Sequence, residues 1–414
     1  MKKYIDSSWD FKTENTKKMT HCFHGYPAKM IPQVAERLIQ KLGKPSDVLF
    51  DPYCGSGTSL VEANLIGLKG IATDLNPLAT LISKAKTTLI ELQILDFYIK
   101  DFIDKIFGYR VCDVEDVDEL PNFPNIDFWF TPKVKRELFI IKKYIQAIEN
   151  HNVANFFKVA FSETIRESSL TKNSEFKLVK MKDAQLAKFD PDVFGMFERK
   201  LYRNRNGLKD YMNKVKVQIK NEVCNFNSSE FIPENVICDQ SIGLIVTSPP
   251  YGDSKTTVAY GQFSRLSNQW LDIEDANQVD NNLMGGKKAL KLKKFDIKEL
   301  DETIEKIGNI DEKRVLEVIS FYEDYGNSIR NVSKVIKKGG RIAYVVGNRR
   351  VKDTELPTDI ATAKFFEKYN IRHTETIIRG IPNKKMPKEN SPSNVIGQKI
   401  NTMNNEYIVI MQKT

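Results

Sequence analysis

Residues 50–58 read Phe-Asp-Pro-Tyr-Cys-Gly-Ser-Gly-Thr and stand between an apolar run at 48–50 and a helical pattern at 59–68. Gly55 and Gly57 flank a serine, so the backbone of this stretch can approach a ligand closely. A helix that follows directly presents free N–H groups to an anionic group. We call residues 51–58 the glycine loop, and it predicts a strand, a ligand-binding turn and a helix in an α/β fold.

A second strand is predicted at 70–73, and it ends in Asp74, followed by Asn76 and Pro77. An acidic residue at this spacing can accept hydrogen bonds from both hydroxyls of a ribose. A glycine loop alone also fits nicotinamide and other nucleotide sites. The form Asp-Pro-x-x-Gly-x-Gly-Thr together with Asp74 is more specific and favours a nucleoside-containing cofactor.

Residues 247–252 read Thr-Ser-Pro-Pro-Tyr-Gly and end a second apolar run, which predicts a buried strand at 242–246. The two prolines lack backbone donors, so the chain must turn at the carboxyl end of that strand. Ligands bind at this end in open α/β sheets. The Ser248 hydroxyl and the proline carbonyls are acceptors, and Tyr251 offers a face for stacking. The motif suits a flat, amino-bearing ring, although a rigid turn with a core tyrosine has the same pattern.

Strand and helix patterns alternate in two blocks, at about 25–95 and from about 215 onward, and an aromatic, helical stretch separates them. That stretch is too long for a loop and predicts a helical subdomain. Further helices are predicted at 31–42, 77–89, 156–165, 313–338 and 358–369, and further strands at 341–346, 372–378 and 406–411.

The composition allows a large core, because 414 residues carry 41% hydrophobic side chains. No apolar stretch is long enough to cross a bilayer and no signal peptide is recognisable, so a soluble, cytoplasmic protein with no membrane partner is expected. Five widely spaced cysteines without a Cys-x-x-Cys pair argue against disulfides and a metal site.

A net charge of +9 fits a polyanionic partner without requiring one. Lysines concentrate in residues 287–294, which read Lys-Lys-Ala-Leu-Lys-Leu-Lys-Lys and follow two glycines. This segment, the basic loop, is predicted to lack regular structure.

Three stretches together resemble amino-group DNA methyltransferases that use S-adenosylmethionine, specifically the type acting on cytosine N4. Residues 24–29, His-Gly-Tyr-Pro-Ala-Lys, resemble the family's methionine-side motif, and the glycine loop resembles its cofactor loop. Residues 248–251, Ser-Pro-Pro-Tyr, match the catalytic motif of cytosine-N4 members, whereas adenine-N6 members more often carry Asp or Asn at the position of Ser248. The run 251–264 is also similar to prokaryotic enzymes of this kind.

The resemblance implies a class I, Rossmann-like methyltransferase fold: a seven-stranded, mostly parallel sheet with a final antiparallel strand and a helical insertion between the cofactor and catalytic motifs. Residues 1–100 would form the cofactor-binding half and residues 213–414 the catalytic half, with the basic loop near 285–294. Residues 101–212 would be the insertion. This insertion and residues 262–310 are the candidates for DNA recognition.

The resemblance also assigns residues to roles. Asp74 would bind the ribose, the backbone of 55–58 the methionine carboxylate region, and Asp51 with Lys29 the two charged ends of the methionine. The full cofactor set is Tyr26, Pro27, Lys29, Asp51, Pro52, Gly55, Ser56, Gly57, Thr58, Asp74 and Asn76, and the catalytic set is Ser248, Pro249, Pro250 and Tyr251. Residues 225–228 lack the acidic residue that relatives often place near the adenine ring, so backbone groups or Asn227 are expected there.

The implied chemistry needs an acceptor rather than a strong base. Acceptors at Ser248 and the Pro249 carbonyl would take the amino hydrogens of cytosine and direct its lone pair toward the methyl group. The base must leave the duplex, with Tyr251 stacking on it. Asp253 is interpreted either as the acceptor of the released proton or as a solvated loop carboxylate. Candidates for phosphate contacts are Lys172, Lys177, Lys180, Lys182, Arg349, Arg350, Lys384 and Lys385.

Several alternatives stay open: an adenine-N6 DNA methyltransferase, an RNA base-amino methyltransferase, and a non-catalytic DNA-binding subunit that retains the fold. Cytosine-C5 chemistry is excluded, because it needs a cysteine directly after a proline and the sequence has no such pair. Double-stranded DNA is the expected partner. A restriction endonuclease that acts on the same site is a second partner hypothesis.

Overall fold

The computed structural model describes residues 2–111, 120–215, 219–253, 258–381, 389–390, 400–401 and 403–414, and within them it confirms the α/β class. The strands are β1 (Lys3–Ile5), β2 (Leu49–Asp51), β3 (Gly70–Thr73), β4 (Glu222–Cys224), β5 (Ile242–Thr247), β6 (Ile336–Val346), β7 (Arg350–Val351), β8 (Thr354–Glu355), β9 (Ile371–Gly380), β10 (Glu389–Asn390), β11 (Ile400–Asn401) and β12 (Asn405–Lys413). The helices are α1 (Pro32–Leu42), α2 (Thr58–Leu65), α3 (Pro77–Thr87), α4 (Leu92–Val111), α5 (Ile126–Trp129), α6 (Pro132–Gln146), α7 (His151–Ser168), α8 (Asp183–Leu186), α9 (Val193–Met212), α10 (Tyr260–Trp270), α11 (Val279–Asn282), α12 (Lys298–Ile310), α13 (Glu312–Val335) and α14 (Thr358–Glu367). None of these helices is long and apolar enough to cross a membrane.

The main sheet runs in the order β1-β9-β12-β6-β5-β2-β3-β4. Every neighbouring pair is parallel except those of β12, which is antiparallel to both β6 and β9. Seven of these strands form the expected sheet. The eighth, β1, adds a parallel edge to β9 with Ile5 opposite Ile378, and it was not expected because three residues are too few to show an alternating pattern.

Alternate residues of the central strands point into two separate cores. Leu49, Leu244 and Val246 pack under α1 and α2. Phe50 and Ile245 pack on the opposite face, against α13 and α14. The sheet is therefore covered on both faces, as the uncharged sequence of β5 predicts.

The helical insertion builds a third core with elements of both α/β blocks. Residues of α3, α4, α6, α7 and α9 share this core with α10, which follows the Ser-Pro-Pro-Tyr motif. Trp270 at the end of α10 is fully buried, with its ring edge-on to Phe130 and Phe161 of the insertion. The expected boundary at 100/101 lies inside α4, so the insertion continues the cofactor half without a break.

The long helix predicted at 313–338 ends earlier, at Val335. Gly339 and Gly340, interpreted as its end signal, lie instead in the irregular first part of β6. Gly339 has φ of 76°, a conformation that favours glycine, and the β5–β6 register shifts between Ile242 and Leu244. The glycines therefore accommodate a bend in the strand.

Candidate functional site

A cleft of about 870 Å³ opens at the carboxyl ends of β2, β3, β4 and β5. The predicted residues that line it are Tyr26, Pro27, Lys29, Asp51, Pro52, Gly55, Ser56, Thr58, Asp74, Ser248 and Pro250. Gly57, Asn76, Pro249 and Tyr251 are not part of this lining. The sheet therefore brings the three motifs together, although they are up to 227 residues apart in the chain.

The glycine loop needs its glycines for two different reasons. Gly55 and Gly57 have φ of 48° and 72°. A Cβ at Gly57 would lie 3.0 Å from the Cα of Ser83, so α3 packs directly against the loop. Gly57 is also the N-cap of α2, and the first two residues of that helix, Thr58 and Ser59, line the cleft.

Asp74 is fixed by backbone donors on both of its oxygens. Its Oδ2 accepts from the Gly55 N–H at 2.9 Å, and its Oδ1 accepts from the Asn76 N–H at 2.8 Å. Burial raises the pKa of Asp74 to about 6 even though these hydrogen bonds oppose the shift. The carboxylate is thus held in one orientation at the edge of the cleft, with lone pairs left for two further donors.

Asp51 joins the glycine loop to the strand that carries the second motif. Its Oδ1 accepts from the Thr247 hydroxyl at 2.5 Å and from the Tyr53 N–H at 3.2 Å. Burial raises the pKa of Asp51 to about 6. This contact sets the distance between the two motifs, because Thr247 directly precedes Ser248.

The 24–29 motif closes one side of the cleft. Lys29 Nζ donates to the His24 carbonyl oxygen at 2.9 Å, and burial lowers the pKa of Lys29 to about 8. The Tyr26 ring stacks on Tyr260 at 6.0 Å, and its hydroxyl accepts from the Asn76 amide at 3.1 Å. Asn76 therefore acts through Tyr26 and through the cap of α3, and it does not line the cleft itself.

Buried charges beneath the glycine loop were not foreseen. Lys86 of α3 donates to the Ser56 carbonyl oxygen at 2.7 Å, and its Nζ lies 3.4 Å from His21 Nδ1. His21 Nε2 in turn contacts Glu62 at 2.8 Å. Burial lowers the pKa of Lys86 and raises that of Glu62 to about 7. A lysine late in a helix gives no sequence signal for this role, since most lysines there are solvated.

The Ser-Pro-Pro-Tyr motif presents an acceptor to the cleft. The Ser248 hydroxyl donates to the Val345 carbonyl oxygen of β6 at 3.1 Å. The Tyr251 hydroxyl lies 3.3 Å from Ser248 Oγ and donates to Glu406 at 3.0 Å. Glu406 is ion-paired with the buried Arg379. Because the hydrogens of both hydroxyls are already engaged, Ser248 Oγ is left with lone pairs.

Asp253 differs from both interpretations made of it. It is buried, with an exposed fraction of 3%, and pairs with Arg314 at 3.0 Å and Arg349 at 2.9 Å. It is neither a solvated carboxylate nor an unpaired base. Arg349, which was expected to contact phosphate, is therefore not free to do so, because its guanidinium is ion-paired with Asp253. Arg350 pairs within its own turn, with Asp353 and Glu355, and Lys384 and Lys385 lie outside the described residues.

Residues after β4 form the far wall of the cleft. Phe226, Asn227 and Ser228 line it. The Asn227 side chain is engaged in its own loop, where its oxygen accepts from the Ser229 N–H at 3.0 Å and its amide donates to Glu230 at 3.0 Å. Either the Asn227 side chain or backbone groups were expected to bind an adenine ring at this wall. Because the side chain of Asn227 is already hydrogen-bonded, backbone groups are the better candidates.

The cleft fits a nucleoside that carries an amino acid chain. Its walls carry the carboxylates of Asp74 and Asp51 and the ammonium group of Lys29. The Ser56 hydroxyl is buried at the same wall and has no hydrogen-bond partner among the described residues. The described residues contain no group of three or more His, Cys, Asp or Glu side chains that could hold a metal ion.

Comparisons with known proteins found similarity at the level of a family model, of sequence and of solved structures. A family model described as DNA methylase matches residues 1–84, which include the 24–29 motif, the glycine loop and Asp74. A tRNA (guanine(10)-N2)-dimethyltransferase of Methanocaldococcus jannaschii is 30% identical over 119 residues, 28% of this chain and 30% of that protein. A solved SAM-dependent methyltransferase of Methanosarcina mazei aligns over 91% of this chain and 96% of that one, at 9% identity and a TM-score of 0.33.

The similarity to one relative runs through almost the whole chain. The type II methyltransferase M.MvaI of Kocuria varians is 42% identical over 422 residues, which cover 97% of this chain and 93% of that protein. This alignment is long enough to include the glycine loop, the Ser-Pro-Pro-Tyr motif, the insertion and the basic loop. The chain therefore belongs to the type II DNA methyltransferases of restriction-modification systems, and its cofactor is S-adenosylmethionine.

Proposed function

We propose that this enzyme methylates the N4 amino group of cytosine in duplex DNA. The observation that carries the proposal is Ser248, an uncharged acceptor at the mouth of the cleft whose own hydrogen is engaged by Val345. Its identity matches the cytosine-N4 type of motif.

The proposed mechanism rests on orientation. When bound, S-adenosylmethionine supplies an electrophilic methyl group on a sulfonium. Ser248 Oγ and the Pro249 carbonyl would accept the two amino hydrogens of cytosine, so that the nitrogen lone pair turns toward that methyl group. Fixed acceptors of this kind reorganise little during the reaction, which is the usual source of electrostatic stabilisation. Since Asp253 is already ion-paired with Arg314 and Arg349, the released proton would pass to solvent.

Tyr251 would provide the stacking face for the flipped base. Its hydroxyl is bound to Glu406, which is itself held by Arg379. Arg379 donates further to the Trp9 and Asp10 carbonyl oxygens. The ring orientation thus depends on contacts that reach from β12 to the N-terminal segment.

A basic hairpin supports DNA binding beside the cleft. Residues 171–182 form this hairpin, closed by a bridge between Thr171 and Lys180, and it carries Lys172, Lys177, Lys180 and Lys182. Arg166 fastens the hairpin to α10, because its guanidinium donates to the Glu175 carbonyl at 2.5 Å and to the Phe263 carbonyl at 3.3 Å. Tyr260 at the start of α10 lines the cleft. The lysines are therefore tied to the same wall as the cofactor site.

The experiment that tests the proposal uses the full chain with radiolabelled cofactor. Duplex DNA, single-stranded DNA and tRNA are incubated separately, digested to nucleosides and separated. Label in N4-methylcytosine from duplex DNA is expected. Label confined to N6-methyladenine would sink the cytosine assignment, label on RNA alone would sink the DNA assignment, and cofactor binding without any transfer would favour a non-catalytic subunit. A cognate restriction endonuclease is proposed as the partner, and methylated DNA would resist it.

A further inference from the structure

The basic loop carries the most exposed large hydrophobic side chain among the described residues. Leu290 is 98% exposed and Leu292 is 69% exposed. Single exposed apolar residues are common on protein surfaces. Leu290 is different, because it stands at the centre of a lysine run whose base is part of the cleft.

The base of this loop is fixed to the active site. Leu283 and Met284 line the cleft, and Gly285 packs so closely on Asp253 that a Cβ there would lie 3.0 Å from the aspartate Cβ. The Gly285 N–H donates to Asp324 at 2.9 Å. The loop therefore starts at the wall where the reacting base must enter.

Two further contacts hold the loop on α13. The Ser320 hydroxyl donates to the Lys287 carbonyl, and the Ala289 N–H donates to the Leu316 carbonyl at 3.3 Å. Ala289 packs on the core while Leu290, the next residue, points to solvent. An apolar side chain is thus presented from an anchored backbone.

The charges around Leu290 match a polyanion. Lys287, Lys288, Lys291 and Lys294 are exposed, and no carboxylate of the described residues lies within salt-bridge distance of any of them; Lys293 alone pairs with a carboxylate, Glu323 at 2.9 Å. A lipid surface would also attract this pattern, but the loop begins at a cleft that must admit a nucleobase.

We propose that Leu290 is the wedge that enters the base stack when the target base leaves it, while the neighbouring lysines hold the adjacent phosphates. This inference rests on the proposed DNA methylation. Apolar side chains inserted between base steps unstack DNA, at a cost of a few kcal/mol that phosphate contacts offset. Leu290 stands six positions after Met284, so even a fully extended chain places it within about 22 Å of the cleft lining.

The test compares Leu290→Ala with Ile66→Ala, a matched loss of an exposed aliphatic side chain at the opposite, amino edge of the sheet. The substrate is a duplex that carries the site mapped from DNA methylated by the wild-type enzyme. A second duplex places an abasic nucleotide opposite the target base, so that the base flips without a wedge. Base flipping is measured by the fluorescence of an analogue of the target base, with and without cofactor.

Leu290→Ala is expected to lower kcat/KM on the paired duplex at least tenfold and to reduce the flipping signal, with less than a twofold loss on the abasic duplex. Ile66→Ala should leave both unchanged. Equal loss on the two duplexes, or flipping within twofold of wild type, would overturn the wedge while leaving DNA methylation intact. A wild-type enzyme that labels no DNA would overturn the proposed function itself, and the wedge with it.

Discussion

The glycine loop and the basic loop flank the same cleft, yet they are built in opposite ways. In the glycine loop, backbone donors fix both oxygens of Asp74, and α3 packs directly on Gly57. In the basic loop, four lysines lack carboxylate partners among the described residues and Leu290 is almost fully exposed. The carboxylate beside the glycine loop is thus paired within the chain, whereas the basic loop presents its lysines and Leu290 to solvent. Substitutions in the two regions should therefore separate catalysis, cofactor binding and DNA binding.

The largest effect is expected for Ser248→Ala. The substitution removes the acceptor that orients the amino group but leaves the glycine loop untouched. Loss of one oriented hydrogen-bonding group of this type lowers kcat by about 100-fold. Single-turnover rates with saturating DNA and cofactor measure this loss.

Cofactor affinity is the control for that variant, because Ser248 also lines the cleft. The Kd for S-adenosylmethionine, measured by calorimetry, should stay within twofold of wild type. A loss of cofactor binding that equals the loss of turnover would contradict the assigned role of Ser248.

The next largest effect is expected for Gly57→Ala. Alanine at φ of 72° is strained by about 1 kcal/mol, and its Cβ would lie 3.0 Å from the Ser83 Cα, so α3 must move. We expect the cofactor Kd to rise at least tenfold. Gly67→Ala is the matched control, since φ there is 85° but nothing lies within 4 Å of the new Cβ. Gly67→Ala should lower thermal stability slightly and leave cofactor binding unchanged, and equal effects on Kd would rule out the packing explanation.

These glycines also illustrate which parts of the site can be predicted from the sequence alone. The glycine loop and the Ser-Pro-Pro-Tyr motif are local: glycine and proline restrict the backbone where they stand, so their positions predict turns and strand ends. The roles of Glu406 and Lys86, by contrast, depend on contacts with residues distant in the sequence. Glu406 reaches Tyr251 across 155 residues, and Lys86 supports the loop only after α3 has packed on it.

Charge was the least predictable property, for a similar reason. The sequence around Arg349 and Lys177 does not distinguish them, but the fold leaves Arg349 half-buried and paired with Asp253, whereas Lys177 is exposed. The outcome depends on which carboxylate lies near in space, and Asp253 is 96 residues away along the chain. Motifs therefore predicted which residues meet at the cleft better than charge predicted which cations are unpaired.

A smaller, pH-dependent effect should distinguish the groups that we propose hold the cofactor. Asp51 and Asp74, with pKa values raised to about 6 by burial, accept hydrogen bonds in their ionised form. Affinity should therefore fall about tenfold per pH unit below 6 for each carboxylate that must be ionised. Above about pH 8, affinity should fall again as Lys29 loses its proton. Calorimetry from pH 5 to 9 measures both limbs.

The variant Lys29→Arg tests whether Lys29 causes the loss of cofactor affinity above about pH 8, which we call the alkaline limb. Arginine stays charged across this range, so the limb should disappear if Lys29 causes it. A limb that persists in Lys29→Arg would belong to the amino group of the cofactor, whose ordinary pKa is also near 8. The acidic limb should be the same in both proteins.

The smallest effect is expected on the recognition side, for Lys177→Ala in the basic hairpin. Lys177 is exposed, and no salt bridge engages it among the described residues. If it contacts one phosphate, its removal lowers the slope of log Kobs against log salt by about one, which changes affinity about threefold between 50 and 200 mM salt. Lys44→Ala is the control, because Lys44 is exposed before β2, at the edge of the sheet opposite the cleft. Fluorescence anisotropy with duplex DNA at several salt concentrations measures both slopes. Equal slopes for the two variants would remove the hairpin from the DNA interface and leave the basic loop as the flank that binds phosphates.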